Sequence, residues 1–136
     1  MVASARRVIE LIRREPIVAL PTETLVGVAE KMAENNIGAV VVISPQDPKK
    51  PVGIITERDI VKAVSMHMPL STPVEAFATN RLITIDENET VEKAAELMLM
   101  YNIRHLVVVD NVGRLRGVIS IRDVLKALYG KELLHR

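Results

Sequence analysis

Two short runs place a hydroxyl three residues ahead of a carboxylate at the foot of a helix-forming stretch. In one, Thr56 precedes Asp59; in the other, Ser120 precedes Asp123. A hydroxyl and a carboxylate at this spacing can satisfy the free amides of a first helical turn, which makes each run a capping box. The same helix start offers unpaired N–H groups and the positive end of the helix dipole, so it is also a seat for a phosphate, with the hydroxyl as an extra donor. Arg58 and Arg122 stand on the first turn, where a cation is mildly unfavourable unless an anion is near. That misplacement occurs twice and points to an anion, and the residues by themselves leave capping and anion binding both open.

The remaining reactive side chains do not converge. His67, His105 and His135 lie on a connector, a strand start and a terminus, without metal-ligand spacing, so no metal site is expected. Asp86, Glu87 and Glu89 precede a helix, where negative charge supports the N-terminus, and read as structural rather than acid–base groups. Ser65, Ser71 and Ser120 lack a nucleophile motif, and Met32, Met98 and Met100 fall at core or interface spacing. The chain has no cysteine, which removes disulfides, thiolate nucleophiles and Cys-ligated metals. A protein that is not an enzyme is the expectation.

The elements that hold these residues come in two copies. Residues 24–37 align with residues 90–103 at an offset of 66, and Ala29, Glu30, Met32, Asn36 and Ile37 recur as Ala95, Glu96, Met98, Asn102 and Ile103. Further on, residues 53–64 align with residues 117–128 at an offset of 64. The two-residue difference falls in residues 44–51, whose prolines and charges predict a surface loop; residues 110–113 predict a tighter hairpin connection. Each copy reads as a short strand (17–20; 82–85), a helix capped by Thr24 or Thr90, a buried β-branched strand (39–43; 106–109), its hairpin partner (52–55; 115–119), and a helix from Arg58 or Arg122. Residues 3–15 predict a leading helix, residues 74–78 hold the matching place before the second copy, and residues 66–73 form a turn-rich connector. The fold class is α/β (α+β), two β-α-β-β-α repeats related by a pseudo-twofold. The repeats divide at 1–68 and 69–136 and share a core, because one unit's helices cover its sheet only in part.

Composition bounds the partners. The 136 residues are 49% hydrophobic, enough for one compact body, and 18 Lys and Arg stand against 17 Asp and Glu. Without a basic excess, and with only Phe77, Tyr101 and Tyr129 aromatic, nucleic acid is disfavoured. No window is apolar enough to span a bilayer and no leader pattern opens the chain, so a cytoplasmic protein that does not enter a membrane is expected.

Gly53, Ile54, Ile55, Thr56 and Asp59, with Gly117, Val118, Ile119, Ser120 and Asp123, resemble the signature of cystathionine-β-synthase-type (CBS) repeats: glycine, two apolar residues, Thr or Ser, two variable residues, Asp. The resemblance covers nearly the whole chain and implies two repeats packed sheet to sheet, binding AMP or the related ADP, ATP or S-adenosylmethionine in the cleft between them. It implies that each Asp accepts hydrogen bonds from ribose and each Thr or Ser reaches phosphate. Site one would combine Ile54, Thr56, Arg58 and Asp59 with Ile83, Arg104 and His105. Site two would combine Val118, Ser120, Arg122 and Asp123 with Ile17, Gly38 and Ala39, the aliphatic residues sandwiching adenine. Arg104 and His105 correspond to Gly38 and Ala39, so site one alone gains these cationic donors and is expected to fill first. The helices of residues 60–64 and 124–128 and the run 97–100 are more apolar than solvated helices need, and CBS pairs use such helices to join two chains, so a homodimer is expected. No effector domain lies within these residues, so a regulated partner would be a separate chain. The second reading is a protein-interaction scaffold with vestigial clefts and purely structural capping boxes.

Overall fold

The computed structural model describes residues 6–78 and 82–134. Among the described residues four α-helices and six strands follow one another as β1 (Val18–Ala19), α1 (Leu25–Asn35), β2 (Ala39–Ser44), β3 (Asp47–Thr56), α2 (Glu57–Ser65), β4 (Thr84–Asp86), α3 (Val91–Tyr101), β5 (His105–Val109), β6 (Leu115–Ser120) and α4 (Ile121–Leu134). The expected β-α-β-β-α order therefore occurs twice. Thr24 and Thr90 cap α1 and α3, accepting from the amides of Gly27 and Lys93, and Asn36 and Asn102 close both helices in the left-handed conformation.

The chain divides into two compact units. The first-repeat unit spans Pro16–Leu82 and holds a sheet ordered β1-β2-β3, with β1 parallel to β2 and β2 antiparallel to β3. Leu25, Val28 and Met32 of α1 pack on Val40, Val42 and Ile55 of the sheet, Ala63 of α2 and Val74. The second-repeat unit repeats this with β4-β5-β6: Val91, Ala94 and Met98 of α3 meet Leu106, Val108, Ile119 and Val124, joined by Val8 and Leu11. In each sheet the intervening residues, Val41 paired with Ile54 and Val107 paired with Val118, alternate to the opposite face.

Three features differ from the sequence expectations or add to them. The leading helix over 3–15 is, within the described residues, a single 3-10 turn, Val8–Leu11, whose amides bond outward: Val8 N donates to Glu89 O (2.8 Å) and Ile9 N to Glu87 O (2.9 Å). The compact units cut across the repeats expected at 1–68 and 69–136. The N-terminal turn belongs with the second repeat, because Val8 and Leu11 complete its core; the 3-10 turn Val74–Ala76 belongs with the first, through Val74. The exchange is reciprocal, since Val74 N donates to Glu23 O (2.8 Å) as Val8 N does to Glu89 O, 66 residues apart at both ends. Third, most of the expected surface loop at 44–51 is strand. β3 begins at Asp47 and pairs Asp47 with Ser44 and Pro51 with Ile43, and the inserted residues are taken up as an irregularity between those pairs. Pro48 and Pro51 are tolerated because β3 is an edge strand. No helix among the described residues is long and apolar enough to cross a membrane.

Candidate functional site

Both capping boxes form. The Ser120 amide donates to Asp123 Oδ2 (2.8 Å) and the Asp123 amide donates to Ser120 Oγ (3.1 Å). At the start of α2 the Thr56 amide (2.8 Å) and hydroxyl (3.1 Å) both donate to Asp59 Oδ2. Each aspartate thus commits one oxygen to its own helix, while Oδ1 accepts no hydrogen bond from a described residue. The carboxylate is held in orientation by one oxygen and offers the other, an arrangement suited to hydroxyl donors.

The strand pairing sets the strand starts beside these boxes. Ala39 pairs with Thr56, and the Glu57 amide donates to Gly38 O (3.0 Å). In the other unit His105 pairs with Ser120, and the Ile121 amide donates to Arg104 O (2.8 Å). The first-repeat unit therefore gathers Ile54, Thr56, Arg58 and Asp59 at one strand end with Gly38 and Ala39. The second gathers Val118, Ser120, Arg122 and Asp123 with Arg104 and His105. Each unit carries the signature half of one expected site and the strand-start half of the other. Ile17 and Ile83 precede β1 and β4 and pack partly against their own unit's core. Arg58, Arg104 and Arg122 are exposed and form no ion pair with a described residue. His67 is on the turn after α2, past the end of the helix opposite to the Thr56–Asp59 box, with φ 59°. His135 lies outside the described residues. No group of three or more His, Asp or Glu side chains among the described residues is arranged to hold a metal ion.

One role of the signature was missed in the sequence. A Cβ at Gly117 would lie 2.9 Å from Ile12 Cδ1 and 3.1 Å from Ile12 Cγ2, so this glycine seats the N-terminal segment on β6. The spacing of Gly117 to Ser120 was legible; the partner, more than a hundred residues away in the chain, was not. Gly117→Ala is expected to cost about 1–3 kcal/mol by overpacking, measured by denaturant unfolding. Adding Ile12→Ala should recover part of that loss.

The family model for the CBS domain matches residues 8–66 and again residues 74–130. A 17.7 kDa protein of Acidianus ambivalens is 39% identical over 124 residues, covering 91% of this chain and 74% of the relative. Protein MK0525 of Methanopyrus kandleri is 41% identical over 122 residues, covering 86% of this chain, which spans only 60% of that relative's length. Among solved structures, the CBS domain protein PAE2072 from Pyrobaculum aerophilum, complexed with AMP, is 41% identical with a TM-score of 0.84, covering 87% of this chain and 89% of that one. The CBS domain pair of protein MJ0100, in complex with 5′-methylthioadenosine and S-adenosyl-L-methionine, is 29% identical with a TM-score of 0.85, covering 94% of this chain and 99% of that one.

Proposed function

The chain belongs to the CBS-domain family, and on that premise we propose that it is a regulatory module that binds an adenine nucleotide, AMP foremost, and acts on a separate partner. The observation that carries the reading is the doubled box itself. In both repeats an oriented aspartate has an Oδ1 that accepts no hydrogen bond from a described residue, beside a helix start and an arginine that forms no ion pair with a described residue. Ribose hydroxyls suit the carboxylate, and phosphate suits the helix amides and guanidinium. The AMP complex of the 41% identical Pyrobaculum protein supports AMP over ADP, ATP and S-adenosylmethionine.

In this reading each site draws residues from both repeats. Site one, with Arg104 and His105, fills before site two, which has Gly38 and Ala39 in their place. The module regulates only if the ligand favours one of two states of the partner complex. Exposed Leu99, Met100, Leu125 and Tyr129 on one unit, with Val61 and Val64 on the other, support a homodimer, read by sedimentation at twice the 15.1 kDa chain mass.

A thermal-shift panel tests the reading. AMP should raise the melting temperature more than an equal concentration of a guanine nucleotide, and no shift with any adenine ligand would sink it. The scaffold reading is favoured by one observation, that Oδ2 of each aspartate is fully explained as a helix cap. It expects a flat response across the panel.

A further inference from the structure

We infer that Lys31, braced by Glu23, is a positioning latch for the strand start that carries Ile17, and hence for site two. The inference rests on the proposed adenine-nucleotide reading for its consequence, but on the first-repeat unit alone for its geometry.

β1 is two residues long and lies at the edge of its sheet. Its tie to β2 just before the strand is a long one, Val41 N to Ile17 O at 3.3 Å. An edge strand turns alternate backbone groups away from the sheet, where they need other partners. Here one ion pair supplies them. Lys31 Nζ, reaching from α1, donates to Val18 O (2.7 Å) and to Glu23 Oε1 (2.6 Å), while the Leu20 amide donates to Glu23 Oε2 (2.7 Å). The Lys31–Glu23 pair therefore grips β1 at both ends, on the side away from β2. Burial alone would push the Glu23 carboxyl up; the hydrogen bond from Lys31, the Leu20 amide and the Lys31 charge outweigh it and hold the group below the usual carboxylate range. Glu23 is thus charged at neutral pH, and its contribution is lost only as pH falls through that lowered value.

The second repeat lacks the device. Sixty-six residues on, Lys31 becomes Leu97, and Val18 and Leu20 become Thr84 and Asp86. There β4 has three paired residues, and the Glu87 amide continues the ladder to Val109 O (2.7 Å). The two adenine sites accordingly differ in how their strand starts are held: Ile83 by a longer ladder, Ile17 by a charged latch.

Lys31→Met and Lys31→Arg test this, with amide exchange by NMR in the nucleotide-free chain and AMP calorimetry in an Asp59→Asn background that leaves site two to be read. Lys31→Met should accelerate exchange of the Val41 amide about 10-fold or more and weaken AMP at site two by a similar factor, while Lys31→Arg restores most of both. In the Asp123→Asn background, site one should stay within about twofold of its value with Lys31 intact. Unchanged Val41 exchange overturns the latch, as does equal weakening of both sites. If the parent chain binds no adenine nucleotide, the functional reading has failed, and Val41 exchange alone then decides: acceleration upholds the latch, and parent-like exchange overturns it.

Discussion

Leu11→Ala is expected to lower the stability of the second repeat by about 2–5 kcal/mol, although residue 11 precedes the first. Leu11 is 8% exposed and packs with Val8, Ile85, Val91 and Leu106 in the second-repeat core. Truncation removes most of a buried aliphatic side chain and leaves a cavity that the β-branched neighbours cannot readily fill. Against a total stability of about 5–15 kcal/mol, that is a large fraction. Hydrogen exchange checks the location as well as the size. Amides of β5 and β6 should lose protection before those of β2 and β3. Protection lost first in β2 and β3 would show that the N-terminal turn serves the repeat it precedes in sequence.

The second large effect is on ligand. If the proposed reading holds, Asp59→Asn and Asp123→Asn should each weaken the affected site by roughly 1.5–3 kcal/mol, or about 10- to 150-fold, because the charged acceptor that this reading gives the ribose hydroxyls becomes neutral. Folding should change little. Asparagine retains an oxygen able to accept from the Thr56 or Ser120 amide, the bond that Oδ2 makes at 2.8 Å in both boxes. Calorimetry and a melting curve on the same variant separate the two quantities. A fall in melting temperature with unchanged AMP affinity would assign both aspartates to capping alone.

Local signals in the chain were legible wherever a residue and its partner are near each other. Thr24 and Thr90 cap the helices they precede because the hydroxyl and the receiving amide are three residues apart. The β-branched runs form β2 and β5, and the boxes at Thr56 and Ser120 form as their spacing requires. What could not be read depends on distant pairs. The amide of Val8 meets the carbonyl of Glu89, and nothing in residues 6–12 marks them as the second repeat's core rather than a helix of the first. Gly117 reads as one letter of a signature until Ile12 is found against it. Lys31 lies in α1 and Glu23 in the turn before it, so no helix or strand periodicity links them, and their grip on β1 shows only once α1 is folded over the strand. The prolines of residues 45–51 marked a loop by composition, whereas the sheet edge accommodates Pro48 and Pro51 within β3.

The site residues show the same division. The signature halves are contiguous and stand out as a repeated spacing whose ligand roles came only from the family resemblance, and the strand starts that neighbour them, Gly38 with Ala39 and Arg104 with His105, are placed by hairpin register. Register follows from alternation once the strands are assigned. The sequence asymmetry at those starts underlies the expected order of filling.

Isothermal titration with AMP on the parent chain, and on Asp59→Asn and Arg104→Ala variants, tests the central claim most directly. The expected result is saturable heat on the parent chain, with the tighter event lost or weakened in both variants and the weaker event retained. Absence of heat with AMP, ADP, ATP and S-adenosylmethionine alike, or a tighter event untouched by both substitutions, would contradict it.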